Sequence, residues 1–207
     1  MTAPRRIPPG RAGRLWLLDR LRSGRLAASL LDRKVKILRA EQERLRTHTE
    51  QSRARWLDRA READLWGQRA ALLGGQREFL RGTPAEGAEV DVEWGSIMGA
   101  RYPVAASVRL PMPADRGAGT AALIQADAAY RGAVEAAAAH AVASAAVRTV
   151  EAELEATGRR LRAISDRWLP RLEGWLATVT RELDEAEREE AFRLRWARSG
   201  SNADGRA

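Results

Sequence analysis

The 207-residue sequence contains no cysteine, so neither a disulfide nor a thiolate metal site can hold its fold, and we expect a reducing compartment. It has no apolar run of the roughly 20 residues that a membrane span requires, and no signal-peptide core near its start. Aromatic residues make up 5% of the chain and charged residues 31%, which favours a large surface over a spherical core. We therefore expect a cytoplasmic protein that meets a membrane only through a partner, without direct insertion.

The sequence also lacks the motifs of common active sites. It has no HExxH, GxxxxGK[ST], GxGxxG or GxSxG, which excludes the usual zinc, phosphate-loop, dinucleotide and nucleophile-elbow arrangements. The two histidines, His48 and His140, lie in helical stretches without neighbouring ligand types. The acidic run at 184–190 occupies successive helical positions, where carboxylates point to solvent. We predict no catalytic residue, no cofactor and no metal.

The chain is basic, with a net charge of +8 and a pI near 11.0. Its 36 basic residues are mixed with 28 acidic ones instead of lining one face, which argues against direct nucleic-acid binding. The first 39 residues are the exception, with eleven basic and two acidic side chains. A cytoplasmic coiled-coil adaptor or nucleic-acid-associated protein therefore stays open as an alternative.

Both ends of the chain have the apolar spacing of long amphipathic helices. The N-terminal seam consists of Leu17, Leu21, Gly24, Ala28, Leu31, Val35, Leu38, Gln42 and Leu45. The C-terminal seam consists of Leu161, Ile164, Trp168, Leu172, Trp175, Val179, Leu183 and Ala186. Steps of three and four residues keep each seam on one helix face, with charged residues between, as in coiled coils.

We expect the two seams to pair within one chain, which requires an antiparallel arrangement. Paired residue numbers should then sum to about 210, placing Leu38 near 175–179 and Leu17 near Leu194. The basic start of the first helix would face the acidic run at 184–190, and these charges would set orientation more than stability. Pro170 lies inside the C-terminal seam and should kink its helix.

The middle of the chain has a different composition. Residues 82–120 are rich in glycine and proline, and two short runs at 90–94 and 104–110 are typical of strands. We predict a β-hairpin near 89–111 whose connection, 95–103, is longer than a tight turn. The alanine-rich stretch 133–147 should be helical; it is either a thin packed helix or a docking face for a second protein. Gly67 and the Gly74–Gly75 pair are places where the first long helix could break.

These patterns predict an elongated all-α fold with a long antiparallel two-helix coiled coil and a short β-hairpin. The predicted segments are an extended tail at 1–12, the coiled coil at 13–60 and 155–198, a middle region at 61–154, and a disordered tail at 199–207.

Three sequence blocks resemble a known family. The C-terminal run carries PRLE at 170–173, LDE at 183–185 and REEAFRL at 188–194. The N-terminal run carries Leu30, Leu31 and Lys34, then Leu38 and Glu41. Between them lies SIMGARYPV at 96–104. Together the blocks resemble the D subunit of V-type and archaeal-type ATPases and ATP synthases. The residues of the middle block that match the family are Ile97, Met98, Gly99 and Pro103.

This resemblance implies a non-catalytic central rotor shaft. The paired end helices would stand inside the hexamer of catalytic A subunits and nucleotide-binding B subunits. The middle region would bind the small F subunit of the central stalk and a funnel-like protein that leads to the membrane rotor ring. By rotating, the shaft would couple ATP hydrolysis or synthesis to the transport of protons or sodium ions.

Overall fold

The computed structural model describes residues 7–82, 86–111 and 120–204. It is mostly helical, at 83%. Helix α1 covers Gly10–Gly82, strands β1 and β2 cover Glu89–Ile97 and Ala100–Arg109, and helix α2 covers Ala121–Arg162. A π-helical turn at Ala163–Trp168 leads directly into helix α3, Leu169–Asp204. The predicted helices and hairpin are confirmed as the architecture of the chain.

Helix α1 is long because no proline interrupts it. Inside the helix, after Gly10, the backbone leaves the helical region at Gly75, where φ is +72°, a conformation that glycine adopts without strain. This is one of the three positions at which the sequence allowed a break. The helix begins at Gly10, slightly before the predicted start at 13, and α3 continues as far as Asp204, into the range predicted to be a tail.

The residues form two compact units, which are described separately. The first comprises Met1–Arg33 and Thr157–Ala207. Here the start of α1 packs antiparallel against α3, because Arg11 contacts Glu187 while Arg25 contacts Glu173. The core of this unit consists of Leu17, Leu21 and Leu172, with Ile7, Trp16, Leu169, Leu176 and Val179 packed around it.

The predicted register of this pairing is wrong by about twelve residues of α3. Leu17 is fully buried against the cluster around Leu172, whereas Leu194 is 55% exposed. Leu38 also lies in a different cluster from Val179. The predicted register requires α1 to pair only with the last helix. In the structure the part of α1 from Lys34 onward pairs with α2 instead.

The second unit comprises Lys34–Ala156. The later part of α1 runs antiparallel to α2, because Lys34 is hydrogen-bonded to Glu153 while Ser52 is hydrogen-bonded to His140. One core joins α1, α2 and the hairpin through Leu38, Leu45, Tyr102, Ala146 and Val150, with Ile97, Val147 and Leu154 at its edge. A second cluster, built of smaller residues, contains Ala70, Ala122 and Ala126, flanked by Trp66 and Leu123.

The hairpin is tighter than predicted. Its strands pair from Glu89 with Arg109 to Ile97 with Ala100, so that Met98 and Gly99 alone form the turn. Both turn residues have positive φ, +49° and +85°, which fits a primed two-residue turn. The sequence did not signal this turn because methionine rarely adopts positive φ. A bulge between Glu93 and Trp94 breaks the ladder opposite Pro103, which cannot donate a ladder hydrogen bond.

The π-helical turn changes the buried face of the C-terminal helix. Leu161 and Ile164, before the turn or at its start, are half-buried as the spacing predicted. After it, Leu169 and Leu176 contact the core, whereas Trp168 and Trp175 each remain 36% exposed. A π turn inserts one residue into the helical repeat, so the residues after it face the core at a different angle from that of an uninterrupted α-helix. Both tryptophans lie at the edge of the buried face, and the ring of Trp168 packs against Gly24 of the N-terminal seam.

Candidate functional site

The buried positions of α1 follow the N-terminal seam closely. Leu17 and Leu38 are completely buried, and Leu21, Val35 and Leu45 are each at most 7% exposed. Gly24 is buried, and Ala28, Leu31 and Gln42 are half-buried. In α3, Leu172 is 1% exposed, and Val179 and Leu183 are half-buried. This placement is dictated by steps of three and four residues, which return to the same helix face.

Two ion pairs fix the register of α1 against α3 within the first unit. Arg11 Nη2 lies 2.8 Å from Glu187 Oε1, and Arg25 Nη2 lies 2.8 Å from Glu173 Oε1. Their side chains are at least 49% exposed, so each pair contributes little to stability but opposes sliding of the helices. The hydrogen bond to Glu187 raises the pKa of Arg11 above its ordinary value. The pairing of the basic start of α1 with the acidic run is therefore present at Arg11 and Glu187.

Gly24 lies at a close approach between helices of the first unit. A Cβ at this position would overlap the ring of Trp168 and would lie 2.8 Å from Leu169 Cδ2. Real Cβ contacts are essentially never that short, so the glycine is required by packing. Its helix-propensity cost of about 1 kcal/mol is offset by this contact.

In the second unit, Glu151 of α2 bridges to two residues of α1. It accepts hydrogen bonds from Gln42 Nε2 at 3.0 Å and Arg46 Nη2 at 2.7 Å. The hydrogen bond from Arg46, helped by the one from Gln42, lowers the pKa of Glu151. Earlier in α1, Lys34 Nζ lies 2.6 Å from Glu153, and both side chains are less than 30% exposed. These pairs define the register of α1 against α2.

The hairpin is tied to α1 by a tyrosine. The Tyr102 hydroxyl donates to Glu41 Oε1 at 2.9 Å, and the same carboxylate accepts two hydrogen bonds from Arg44. Tyr102 is 7% exposed, and its ring lies in the core of the second unit together with Leu38. Tyr102 thereby holds the turn end of the hairpin against α1, with its ring in the apolar core and its hydroxyl on a carboxylate.

Burial and hydrogen bonding determine the protonation of this cluster. The hydrogen bonds from Arg44 lower the pKa of Glu41, opposed by burial and helped by Tyr102. Burial, followed by the hydrogen bond to Glu41, raises the pKa of Tyr102. The hydrogen bonds to Glu41 raise the pKa of Arg44. At neutral pH the cluster therefore holds a carboxylate, a guanidinium and a neutral phenol.

A further polar contact joins α1 and α2. Ser52, 4% exposed, lies 3.2 Å from His140 Nδ1, and Ser144 lies 3.5 Å from His140 Nε2. Trp56 stacks on the imidazole with a centroid distance of 5.5 Å and an interplanar angle of 13°. His140 thus has a packing role between two helices.

The open half of the hairpin is largely uncovered. Val90, Val92 and Trp94 are between 39% and 54% exposed, while the opposite face of the strand carries acidic residues. Arg109 pairs with Asp91 at 2.9 Å across the two strands. Of the family-like residues, Pro103 is buried, Ile97 packs against the core and Met98 is 43% exposed at the turn.

Sequence reasoning missed the partners supplied by α2. Ala146 and Val150 complete the core around Leu38, yet the alanine-rich stretch gave no seam of its own at the sequence level. The signal was present, since Ala143, Ala146 and Val150 follow one another at steps of three and four and are all buried. Tyr102 lay inside the family-like block, but nothing local identified Glu41 as its partner.

The residues described by the structure include no cluster of three or more side chains able to hold a metal ion. Within the same residues, no helix is long and apolar enough to cross a membrane. The arrangement is one of packed helices held in register by charged side chains.

The sequence was compared with known proteins and protein families. No curated protein matched the sequence. The family model that describes the D subunit of ATP synthase matches residues 16–199, which include both terminal seams and the hairpin. This match extends over most of the chain and agrees with the three blocks described above. The chain belongs to the ATP synthase D-subunit family and is a component of a rotary ATPase or ATP synthase.

Proposed function

We propose that this protein is the central rotor shaft of its complex, transmitting rotation between ATP hydrolysis or synthesis in the head and ion transport in the membrane. The helix pair of α1 and α3 turns inside the hexamer of catalytic A subunits and nucleotide-binding B subunits. The hairpin-bearing unit serves the F subunit and the funnel-like protein that reaches the membrane rotor ring. The chain itself carries out no bond chemistry, and it is peripheral to the membrane through the complex.

The observation that carries this proposal is a second apolar stripe on α1. Large side chains of this stripe are far more exposed than those of the buried seam: Leu15 is 68% exposed, Leu26 61% and Leu30 54%. At 100° per residue these three positions fall on one face, roughly opposite the face that carries Leu17 and Leu21. The leucines share this face with Asp19 and Arg22, and large apolar side chains that α3 leaves uncovered require cover from another protein. A shaft enclosed by a ring of other proteins meets this requirement.

The inner packing is also suited to transmitting torque. Leu17 and Leu172 interlock in a core with almost no exposed surface, and the ion pairs at Arg11 and Arg25 oppose axial sliding. Close-packed side chains resist deformation, so a rotation applied to one helix is passed to its neighbour. An adaptor that merely binds other proteins does not require this resistance.

The test compares two double variants within the assembled complex. Leu26→Gln/Leu30→Gln removes the outer stripe, while Ser23→Gln/Ser29→Gln places the same residues at polar, exposed positions of the same helix. Both changes affect exposed positions, so the unfolding free energy of the isolated chain should change by no more than about 0.5 kcal/mol. We expect the leucine variant alone to lose ATP-driven ion transport or the co-purification of the A and B subunits.

Equal transport by both variants would contradict the shaft proposal. The adaptor and nucleic-acid alternative has its own outcome: the tagged chain would fail to recover the A and B subunits, and would instead retain DNA or RNA with a steep dependence on salt concentration.

A further inference from the structure

We propose that the outer edge of β1 binds an extended segment of another protein as a third strand, and that this segment alternates basic and apolar side chains. The strand is added along residues 89–94, which we call the open half of β1. The site lies within the second unit and does not rest on the proposed function.

The open half of β1 is the edge of an unfinished sheet. Among the residues that the structure describes, β1 pairs with β2 alone. Every residue of the open half is exposed, so neither face is buried there. The turn end of the hairpin differs, since Ile97 and Tyr102 pack in the core of the second unit. The free edge therefore offers backbone N–H and C=O groups to a further strand.

The two edges of the hairpin are not equivalent. Glu93 pairs with Ala105 and Trp94 pairs with Pro103, so Val104 is an extra residue that bulges from β2. A bulge bends its strand and a proline cannot donate to a ladder, and both features protect an edge against an added strand. The open half of β1 contains no proline, and the bulge adds no residue to it. Strand addition is therefore favoured on β1.

Charge determines which strand can be added. Glu89, Asp91 and Glu93 lie on one face of β1, which has no basic residue although the chain has a net charge of +8. Arg109 of β2 lies 2.9 Å from Asp91 and 3.6 Å from Glu89, so one guanidinium faces three carboxylates and leaves a net charge of −2. The β1 strand of a second copy would bring like charges together. Lysine or arginine at alternate positions of an incoming strand would meet opposite charges instead.

The other face of β1 determines the remaining positions of the segment. Val90, Val92 and Trp94 are 53%, 39% and 54% exposed. Side chains that lie opposite each other on neighbouring strands are about 5 Å apart, so apolar residues of the added strand would cover these three. Because successive side chains of a strand point to opposite faces, the segment must alternate basic and apolar residues.

The register of the hairpin predicts which amides the added strand would use. In a two-residue hairpin the pair next to the turn, here Ile97 and Ala100, exchanges both hydrogen bonds, and bonded and non-bonded pairs then alternate along the strands. Every second residue counted back from Ile97 therefore directs its backbone groups at β2. The N–H groups of Val90, Val92 and Trp94 point to the open edge, and their hydrogen exchange should report an added strand.

The test adds a synthetic peptide of alternating lysine and valine, as long as the open half of β1, to the full chain. A peptide of the same composition with its lysines and valines in separate blocks is the matched control, because it has the same charge without the alternation. We expect the alternating peptide alone to slow amide exchange at Val90, Val92 and Trp94. Equal slowing by the two peptides, or none by either, overturns the proposal. Slowing that depends on protein concentration without any peptide would identify a second copy as the occupant and also overturns it.

Reversal of the charges on β1 should exchange the preferred peptide. Glu89→Lys/Asp91→Lys/Glu93→Lys should require roughly tenfold more of the lysine peptide for the same slowing, because three exposed ion pairs are lost. The same variant should respond to an alternating glutamate–valine peptide, which the unchanged chain should not bind. An unchanged preference in the variant overturns the proposal.

A proline distinguishes an added strand from a partner that merely covers the apolar face. Val92→Pro removes an N–H group at the open edge, whereas Val92→Thr keeps it. We expect the proline variant to lose the slowing at Val90 and Trp94 and the threonine variant to retain it. Slowing retained in both variants overturns the proposal. Exchange at Asp91 and Glu93, whose N–H groups face β2, shows whether the hairpin is still formed; if it is not, the charge-reversed variant decides the outcome.

Discussion

Replacement of Leu38 by alanine tests the packing of the second unit against a neighbouring control. Leu38 has no exposed surface and contacts the cluster of Tyr102, Ala146 and Val150, whereas the adjacent Ile37 is 42% exposed. A fully buried Leu→Ala change costs about 2 to 5 kcal/mol, because burial is lost and a cavity remains. Ile37→Ala removes less buried surface and gains helix propensity, so its cost should stay below about 1.5 kcal/mol.

The measurement is urea unfolding of the full chain followed by far-ultraviolet circular dichroism. With an m value of about 3 kcal/mol per molar urea, a loss of about 3 kcal/mol lowers the midpoint by about 1 M. The Ile37→Ala midpoint should move by less than half of that. Equal shifts for the two variants, at an unchanged m value, would mean that the core assigned to α1, α2 and the hairpin does not stabilise the protein.

Three further predictions concern substitutions of Gly24, Tyr102 and Glu151. Gly24→Leu should lower the unfolding free energy by about 1 to 3 kcal/mol because its side chain overlaps α3, while Gly174→Ala, at an open position, should not; thermal unfolding distinguishes them. Tyr102→Phe removes one hydrogen bond to a carboxylate and should cost about 1 to 2 kcal/mol, measured by urea unfolding, with faster amide exchange in β2. Glu151 has a folded-state pKa below its ordinary 4.5, so its stabilising effect is present above that pH and is lost as the pH falls through the folded value. Between pH 7 and 3 the stability of Glu151→Gln should therefore fall less than that of the unchanged chain, and parallel curves would contradict this reasoning.

The seam of α1 could be predicted because it depends on local spacing alone. Leu17, Leu21, Val35, Leu38 and Leu45 are all buried, whichever helix happens to cover them. The partner of each residue could not be predicted, since register depends on how the rest of the chain is arranged. Local spacing indicates a single partner helix for α1, whereas Arg25 forms an ion pair with α3 and Arg46 forms one with α2.

The contact of Leu169 with the core could not be predicted for a different reason. Apolar spacing predicts a buried face only where the helical repeat is constant, and one π turn changes that repeat. The sequence around the turn carries no mark of it except the nearby Pro170. The tight turn at Met98 and Gly99 was missed because sequence rules expect asparagine or aspartate before the glycine.

The two strand edges of the hairpin have a consequence for handling the purified protein. In the described part of the chain, each strand pairs only with the other, so both outer edges keep unpaired backbone groups beside the uncovered Val90 and Val92. Such edges template aggregation between molecules unless charge repels the incoming strand. Glu89, Asp91 and Glu93 provide this repulsion as gatekeepers on β1. Loss of this charge would leave both edges open to pairing, so Glu89→Gln/Asp91→Asn/Glu93→Gln should aggregate at a lower protein concentration than the unchanged chain.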